Sequence, residues 1–379
     1  MARMIVFLTV LIGVIGGISF YAAARLTPAS WSFGARAAVG VLLFASVAAV
    51  PASFVLRSFT GIAMPAPFYW ITFSCMGLAT ILFGVLAIRD ILWLGGGLLG
   101  ALSADPERRR FLLEMSHLAV LAAAGATFVW GAFRAARPPT VVTVEIPLRD
   151  LPDELAGFTI AQISDLHVGP TIGRKAVGEI VAAVNALEAD LIAFTGDVAD
   201  GSVEQLRGEV EGLRHLRSRL GTFFVTGNHE YYWDAPAWVA EMKRLGMRVL
   251  LNSHEVVEIR GRRLVVAGVT DSSWKSDPQA ALAGAPADAA LRILLAHQPQ
   301  EAFAAAALGY QLQLSGHTHG GQLFPLTWLI GLVLPFARGL HRLRDLWVYT
   351  NSGAGYWGPP VRTTKIAGEI TRLVLVREP

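Results

Sequence analysis

The distribution of apolar and charged residues divides this chain of 379 residues into two parts. Residues 1–133 are predominantly apolar, whereas charged residues are common from Glu145 onward. A helix needs roughly 20 apolar residues to cross a bilayer. The pattern therefore predicts an N-terminal α-helical transmembrane bundle of four spans over residues 1–135, and a second domain over residues 136–379. The four apolar stretches are Met4–Ala24, Ala37–Leu56, Ala66–Ile88 and Phe111–Phe133.

Two apolar segments have alternative interpretations. Met4–Ala24 could be a signal peptide, because Tyr21–Ala24 resembles a small-residue cleavage site. Three further spans follow it and it is long for a signal core, so we favour a retained helix. Ile91–Leu102 is Gly-rich and only a dozen residues long, which indicates an interfacial or re-entrant piece rather than a fifth span.

The placement of arginines predicts the orientation of the bundle. Positive residues are enriched in cytoplasmic loops, and six arginines flank the first and third loops against four on the opposite side. This distribution predicts a multi-pass protein of the bacterial cytoplasmic membrane with its second domain outside. A fifth crossing or a cleaved first helix would reverse the orientation. The six are Arg25, Arg36, Arg89, Arg108, Arg109 and Arg110, and the four are Arg3, Arg57, Arg134 and Arg137.

Composition argues against two kinds of function. The chain is 53% apolar and 16% charged, and its net charge of +3 arises partly from arginines that flank apolar runs. No basic stripe is interleaved with aromatic residues, so we expect no nucleic-acid partner. The single cysteine, Cys75, lies within an apolar run, which excludes a disulfide framework and a cysteine metal site.

Strand-like and helix-like segments alternate in the second part. Helices are predicted near Arg174–Leu187, Val203–Leu216 and Pro236–Leu245, and a hairpin turn at Arg260–Arg263. The alternation predicts two sheets of similar size faced by helices, which is a four-layer α/β sandwich. The predicted strands are Val141–Ile146, Phe158–Ser164, Leu191–Phe194, Thr222–Val225, Val256–Ile259, Leu264–Val269, Arg292–Ala296, Gln311–Leu314, Trp347–Tyr349 and Ile370–Val376.

Five short motifs in the second part contain metal-ligand side chains. Four of them follow an apolar, β-branched-rich run, so their ligands are expected just past the C-terminal ends of strands, where open α/β sheets place ligands. Asp, Asn and His supply the oxygen and nitrogen atoms that divalent Mn, Fe, Zn or Mg accept. The motifs are Asp165-Leu166-His167, Thr195-Gly196-Asp197, Gly227-Asn228-His229-Glu230, Ala296-His297 and Gly316-His317-Thr318-His319-Gly320-Gly321-Gln322.

In this order the motifs resemble those of the calcineurin-like metallophosphoesterase superfamily, which run D-x-H, G-D, G-N-H-[DE], H and G-H-x-H. The resemblance covers about Ala161–Arg362. The last motif and the segment Asn351–Arg362 are similar to the membrane-associated branch that includes the YkuE- and YaeI-like phosphoesterases. The resemblance implies a metallophosphoesterase domain with two divalent metal ions that activate a water against a phosphoester.

The resemblance also implies roles for individual residues. Asp197 would bridge the two ions, because a carboxylate offers two oxygens. His229 would be a catalytic residue that stabilises developing charge or protonates the leaving alkoxide. The remaining ligands would be Asp165, His167 and His319 for the first ion, and Asn228, His297 and His317 for the second.

Three acidic residues near the motifs have less specific interpretations. Glu230 could orient His229 or could be a solvated carboxylate, and the sequence favours neither. Asp200 and Asp271 could support the ligands from outside, although their favoured interpretation is that of turn residues.

A further apolar run, Leu323–Leu340, follows the last motif. It could be a lipid-facing lip, an acyl-binding groove or a buried loop between strands, and the sequence does not decide between exposure and burial. The aromatic residues Tyr231, Tyr232 and Trp233 would add apolar surface near the same mouth. Together with the spans, these features predict an amphiphilic substrate.

These observations predict a membrane-anchored phosphoesterase that acts on a lipid-linked or envelope-derived phosphoester. Its expected partners are that phosphoester and the lipid bilayer. One alternative is a UDP-2,3-diacylglucosamine pyrophosphatase-like hydrolase of lipid A synthesis, which would need a cytoplasmic catalytic domain. Another alternative is a phosphatase domain that regulates a membrane sensor or transporter.

Overall fold

The computed structural model describes residues 2–27, 31–60, 64–98, 105–365 and 367–378, with side chains described in 12–27, 31–53 and from 64 onward within these ranges. The chain forms two compact units, which we call the helical unit and the sheet unit. The helical unit comprises Met1–Arg134, Leu323–Pro325 and Gly358–Thr363, and the sheet unit comprises the rest. Two short segments from the second part of the chain therefore belong to the helical unit, which the sequence pattern does not predict.

The helical unit contains the candidate membrane spans. Among the described residues, three helical stretches are long and apolar enough to cross a membrane: Phe33–Ser53, Ala66–Leu98 and Pro106–Ala135. In the first helix the described apolar stretch, Ile12–Leu26, is shorter than a span, so the fourth predicted span stays a prediction. The four helices are α1 (Ala2–Leu26), α2 (Phe33–Thr60), α3 (Ala66–Leu98) and α4 (Pro106–Ala135).

The predicted interfacial piece Ile91–Leu102 is not separate from the third span. α3 continues without a break to Leu98, and residues 99–102 lie outside the described part of the chain. The glycines near its end resemble an interruption in the sequence, but glycine is frequent in membrane helices, which keep their backbone hydrogen bonds internal. The prediction of a separate piece is therefore wrong as far as Leu98.

Apolar packing and one ion-pair cluster hold the helical unit together. Asp90 accepts a hydrogen bond from Tyr21 at 2.7 Å and pairs with Arg25 and Arg89, each at 2.7 Å, which ties α1 to α3. The apolar core includes residues of both short segments as well as of the helices. Its buried members are Ala22, Ile81, Leu82, Leu86, Val120, Ala124, Leu323 and Val361.

The sheet unit contains two six-stranded sheets. The strands are β1 (Thr140–Leu148), β2 (Thr159–Ile163), β3 (Leu191–Phe194), β4 (Thr222–Phe224), β5 (Arg248–Val249), β6 (Ser253–Ile259), β7 (Arg262–Gly268), β8 (Leu291–Leu295), β9 (Leu312–Ser315), β10 (Gly339–Leu343), β11 (Leu346–Thr350) and β12 (Glu369–Arg377). The first sheet has the order β1-β12-β2-β3-β4-β5 and is parallel from β2 to β5. The second has the order β10-β11-β9-β8-β7-β6 and is parallel from β11 to β7.

Six further helices are α5 (Arg174–Asn185), α6 (Val203–Val210), α7 (Asn228–Trp233), α8 (Ala235–Arg244), α9 (Ala302–Ala305) and α10 (Leu326–Val333). In α5, Val177, Ile180, Val181 and Val184 follow the helical repeat, and these are its buried residues. They pack on the outer face of the first sheet together with α6 and α8. α9 packs on the outer face of the second sheet.

The two sheets pack face to face over a shared apolar core, to which Ile160 and Leu191 of the first sheet and Leu264 and Leu312 of the second contribute. The resulting order of helices, sheet, sheet and helix agrees with the layered α/β sandwich that the sequence predicts. The predicted hairpin at Arg260–Arg263 is confirmed, since β6 and β7 pair antiparallel across it. The sequence does not predict β5, which has two residues, or β10, an edge strand of mostly half-buried residues.

The apolar run Leu323–Leu340 contains several different structures. Leu323–Pro325 belongs to the helical unit, and the run continues into α10. On α10, Trp328 is 70% exposed and Leu332 is 83% exposed. The alternative of a buried loop is therefore wrong for α10.

Candidate metal centre

The five sequence motifs converge because they follow strands that end at the same edge of each sheet. In the first sheet, Ile163 at the end of β2 pairs with Phe194 at the end of β3. In the second sheet, Leu295 at the end of β8 pairs with Leu314 of β9. Parallel strands place their C-terminal ends together, so the ligands that follow both pairs meet in one buried cluster.

The first group of ligand atoms belongs to Asp165, His167 and His319, which lie within 4.8 Å of one another. Nε2 of His319 is 3.0 Å from Nε2 of His167 and 3.4 Å from Oδ1 of Asp165. All three side chains are buried. These are the residues that the sequence assigns to the first ion.

The second group belongs to Asp197, His297 and His317, again within 4.8 Å. Nε2 of His297 is 3.2 Å from Oδ2 of Asp197 and 3.2 Å from Nδ1 of His317. Oδ1 of Asn228 is also 3.2 Å from Nε2 of His297. Asn228, His297 and His317 are the residues that the resemblance implies for the second ion, and Asp197 is the bridge that it implies.

Asp197 belongs to the second group and also lies close to the first. Its Oδ2 is 3.7 Å from Nε2 of His167, which belongs to the first group, and 3.2 Å from Nε2 of His297 in the second. Its Oδ1 accepts a hydrogen bond from the backbone N–H of His229 at 2.9 Å. A carboxylate in this position can reach ions held by either group.

The donor atoms fit divalent cations. Nδ1 of His297 donates to the carbonyl oxygen of Thr195 at 2.7 Å, so in the neutral ring Nε2 carries a lone pair. That lone pair faces the Asp197 carboxylate and another ring nitrogen, both of which are electron-rich. Electron-rich atoms that face one another in this way repel unless a proton or a cation lies between them. Carboxylate and amide oxygens and ring nitrogens are the ligands that divalent metals use.

The charges of the protein itself favour cations at this site. Burial lowers the pKa of His297, but the carboxylates of Asp197 and Asp165 outweigh burial and raise it to about 10. Burial raises the pKa of Asp197, yet His297 and His229 hold it well below its usual range. The carboxylates therefore favour positive charge beside them, which a protonated ring or a bound cation can supply.

Left-handed backbone geometry aims the ligands inward. Five of the seven predicted metal ligands have positive φ angles between 50° and 72°, a region that costs non-glycine residues about 1–2 kcal/mol each. Such strain persists only where the surrounding structure enforces it, and it concentrates at functional sites. The five are Asp165 (54°), His167 (50°), Asp197 (56°), His317 (72°) and His319 (51°).

Glycine is required at two positions where the backbone passes close to a carboxylate. A side chain at Gly227 would overlap the carboxylate of Asp197, and one at Gly316 would overlap Asp165 and Ser164. The glycine that begins each of these two motifs therefore makes room for a predicted ligand from another motif.

Glu230 fits neither of its two interpretations. It is fully buried, so it is not solvated, and its carboxylate bonds backbone rather than His229. Oε1 accepts from the N–H of Val198 at 2.7 Å, and Oε2 accepts from Gly227 at 2.6 Å and Asp197 at 3.1 Å. Glu230 thus joins the loop that carries Asp197 to the loop that carries Asn228.

The favoured turn-residue interpretation of Asp200 is wrong. Its Oδ1 is 3.1 Å from Nδ1 of His167 and 2.5 Å from Nδ1 of His229. It therefore fixes both rings, which orients their Nε2 atoms toward the site. Asp271 is both a turn residue and a support for the site. It accepts a hydrogen bond from the N–H of Ser273 in a short helical turn, and another from the side chain of Gln298, which is next to His297.

His229 is placed to act at the mouth of the site. Its Nε2 is 3.9 Å from Oδ2 of Asp197, and its ring lies 5.1 Å from that of Tyr232 and 6.0 Å from that of Trp357. Burial lowers the pKa of His229, but Asp197 and Asp200 raise it to about 9. It also forms a third group with His167 and Asp197 within 4.8 Å, so the geometry accommodates a proton donor or a metal ligand.

Exposed aromatic side chains surround this mouth. Tyr232 is 62%, Trp357 is 52% and Trp274 is 37% exposed. Trp274 stacks on Tyr231 at a centroid distance of 4.4 Å. The sequence predicts the Tyr231–Trp233 part of this aromatic surface, but not Trp274 or Trp357.

Comparison with known proteins identifies the class to which this fold and site belong. The family model described as calcineurin-like phosphoesterase matches residues 158–321. A Danio rerio protein named transmembrane protein with metallophosphoesterase domain is 38% identical, over 88% of this chain and 79% of its own. The Bos taurus protein of the same name is 35% identical, over 89% and 81%.

A bacterial relative, the uncharacterized metallophosphoesterase YkuE of Bacillus subtilis, is 26% identical over 68% of this chain and 93% of its own. The chain therefore belongs to the calcineurin-like metallophosphoesterase family. It is a metal-dependent phosphoester hydrolase, and its apolar helices, like the names of its animal relatives, indicate association with a membrane.

The position of His229 generates a test of its role. We expect His229→Ala to keep its metal content and to lower kcat roughly 10²–10⁴-fold, the usual contribution of a general acid–base group. The protonated ring is the reactive form, so kcat of the unaltered protein should fall as the pH rises, and this decline should vanish in the variant. Elemental analysis and kcat on a water-soluble phosphoester measure both effects.

The matched control is His215→Ala, which removes an exposed histidine and should change neither quantity. If His229→Ala loses a metal together with its activity, His229 is a ligand and the assignment as proton donor is wrong.

Proposed function

We propose that this protein is a membrane-anchored phosphoesterase that hydrolyses a lipid-linked or envelope-derived phosphoester, using a water activated by two divalent ions. The observation that supports this most directly is that Asp197 lies within 4 Å of ring nitrogens in both groups of candidate ligands, 3.7 Å from His167 and 3.2 Å from His297. Two such ions would clamp a phosphate ester and lower the pKa of a water. Mn, Fe, Zn and Mg are all compatible with Asp, Asn and His ligands.

The proposed assignment follows the two groups. The first ion would be held by Asp165, His167, His319 and Asp197, and the second by Asn228, His297, His317 and Asp197.

The remaining catalytic work falls to His229 and Asp200. Asp200 holds Nδ1 of His229, so the ring presents Nε2 to the site. In the protonated ring this Nε2 carries a hydrogen that can pass to the leaving oxygen as its bond to phosphorus breaks. Asp200 also stabilises the positive charge of the protonated ring.

The surroundings of the site support an amphiphilic substrate. α10 contains no charged residue, and it begins five residues after Gly321, at the end of the last ligand motif. A cavity of about 270 Å³ lies against α10, with Trp328, Ile330, Leu334 and Phe336 as apolar lining and Arg338 and His341 as polar lining. Apolar walls combined with a cationic side chain suit an anionic amphiphile.

The membrane part of the proposal rests on length, composition and charge. We propose that α1 is retained as a fourth span beside the three candidate spans, and that the protein resides in a bacterial cytoplasmic membrane. The arginine distribution supports a location of the sheet unit outside the cytoplasm. We also propose that the anchor comprises residues 1–135 and the phosphoesterase domain residues 136–379.

The preference for an amphiphile can be measured with a pair of phosphoesters that share a headgroup and differ in alkyl length. A buried methylene contributes about 0.8 kcal/mol. Burial of two additional methylenes of the longer ester should therefore raise its kcat/KM by about tenfold. Leu332→Asp on α10 should abolish most of this preference, whereas Val256→Asp, at an exposed apolar position of β6, should not. Equal kcat/KM for both esters in the unaltered protein would contradict an amphiphilic substrate.

Orientation can be measured by fusing to the C-terminus a pair of reporters, one active only outside the cytoplasm and one only inside. An outside signal is expected and would support an extracytoplasmic phosphoester. An inside signal would overturn the orientation and favour the UDP-2,3-diacylglucosamine pyrophosphatase alternative, because nucleotide-linked lipids are made there.

A further inference from the structure

We propose that the helical unit is a working part of the hydrolase as well as an anchor, because glycines on α3 and α4 hold two chain segments that are joined by single peptide bonds to residues beside the metal centre. We call Gly77, Gly84 and Gly131 the glycine seam. The held segments are Leu323–Pro325 and Gly358–Thr363. This inference rests on the phosphoesterase activity of the family and does not require the substrate to be amphiphilic.

Gly84 makes room for the first held segment. A Cβ atom at this position would lie 2.5 Å from Cε1 of Phe324, which is closer than real Cβ contacts, and a tight 3.0 Å from Cδ of Pro325. Leu323, beside them, is only 6% exposed within the core of the helical unit. The segment is therefore packed directly against the backbone of α3.

Gly131 and Gly77 make room for the second held segment. A Cβ atom at Gly131 would lie 2.6 Å from Cγ1 of Val361, and one at Gly77 would lie 3.0 Å from Cβ of Pro359. The carbonyl oxygen of Gly131 also accepts a hydrogen bond from the N–H of Arg362 at 2.9 Å. Val361 is fully buried, so this segment is held by packing and by a backbone bond.

The two held segments are bonded to each other as well as to the helices. The N–H of Phe324 donates to Oγ1 of Thr363 at 2.6 Å. All of these contacts lie within the helical unit. The segments therefore pack together with α3 and α4 in the helical unit.

Each held segment directly follows a residue of the sheet unit that borders the site. Gln322 precedes Leu323, and Trp357 precedes Gly358. Their contacts form a reciprocal pair, in which Nε2 of Gln322 donates to the Trp357 carbonyl at 3.0 Å and the Trp357 N–H donates to Oε1 of Gln322 at 2.9 Å.

This pair connects to both parts of the chemistry. Gln322 caps the short helical turn His319–Gly321, whose first residue is a predicted ligand, and it has a strained φ of 39°. The ring of Trp357 contacts His229 at a centroid distance of 6.0 Å. A shift of the held segments should therefore be transmitted through the chain to His319 and His229.

Small displacements of catalytic groups have large effects, since a misplacement of about 1 Å can cost about 100-fold in rate. We therefore expect Gly131→Ala, in the full chain in detergent or nanodiscs, to lower kcat on a water-soluble phosphodiester by about tenfold or more. Its affinity for Mn²⁺, measured by titration into metal-depleted protein, should also weaken. The matched control is Gly125→Ala on the same helix, where a Cβ atom would meet nothing within 4 Å.

A compensating variant separates positioning from general damage. Val361→Ala removes the methyl group that a Cβ atom at residue 131 would strike, so the double variant Gly131→Ala/Val361→Ala should recover kcat and metal affinity. The proposal is overturned if Gly131→Ala behaves like Gly125→Ala, or if it changes only the melting temperature. It is also overturned if the double variant recovers neither quantity.

Because the substrate is soluble, this outcome is independent of the test for an amphiphile. Absence of hydrolysis by the unaltered full chain would instead contradict the proposed function.

Discussion

The burial of two carboxylates, Asp165 and Asp197, is the constraint on which the rest of the sheet unit depends. Removing an ionised carboxylate from water is costly unless hydrogen bonds and opposite charges compensate. Backbone N–H groups supply part of that compensation, from His317 to Asp165 and from His229 to Asp197. Such N–H groups reach the carboxylates only because the loops turn through left-handed conformations and pass glycines without side chains.

The loops are in turn fixed by residues that contribute nothing to the ligand set. Glu230 joins two loops by three backbone hydrogen bonds, and Asp200 orients the rings of His167 and His229. These groups keep the site formed before an ion arrives. Pre-organisation of this kind raises the affinity and precision of metal sites.

The spacing of the motifs after apolar runs is local information, and it was sufficient to predict that their side chains converge in one site. The sequence also predicts most strands and the hairpin between β6 and β7. The sequence was not sufficient to predict the roles of Asp200 and Glu230, because these roles depend on contacts with residues about thirty positions away. A buried acidic residue also cannot be distinguished from a solvated one by its identity alone. The exposed α10 and the start of β10 lie in one apolar run, in which composition alone does not distinguish burial from exposure.

The same limit applies to the division of the chain. Apolar stretches separate an N-terminal part from a catalytic part, yet Leu323–Pro325 and Gly358–Thr363 pack in the helical unit. Each is only a few residues long and lies between segments of the sheet unit. Glycines on α3 and α4 are ordinary in a membrane helix, so their fit to these segments becomes visible only in the folded chain.

The central claim is that Asp197 joins two metal ions in one centre, and the most direct test is the metal content of the purified full chain. Elemental analysis should find two equivalents of divalent metal per chain, and Asp197→Ala should lose both while remaining folded. One equivalent in the unaltered protein, or two retained in Asp197→Ala, would contradict the account.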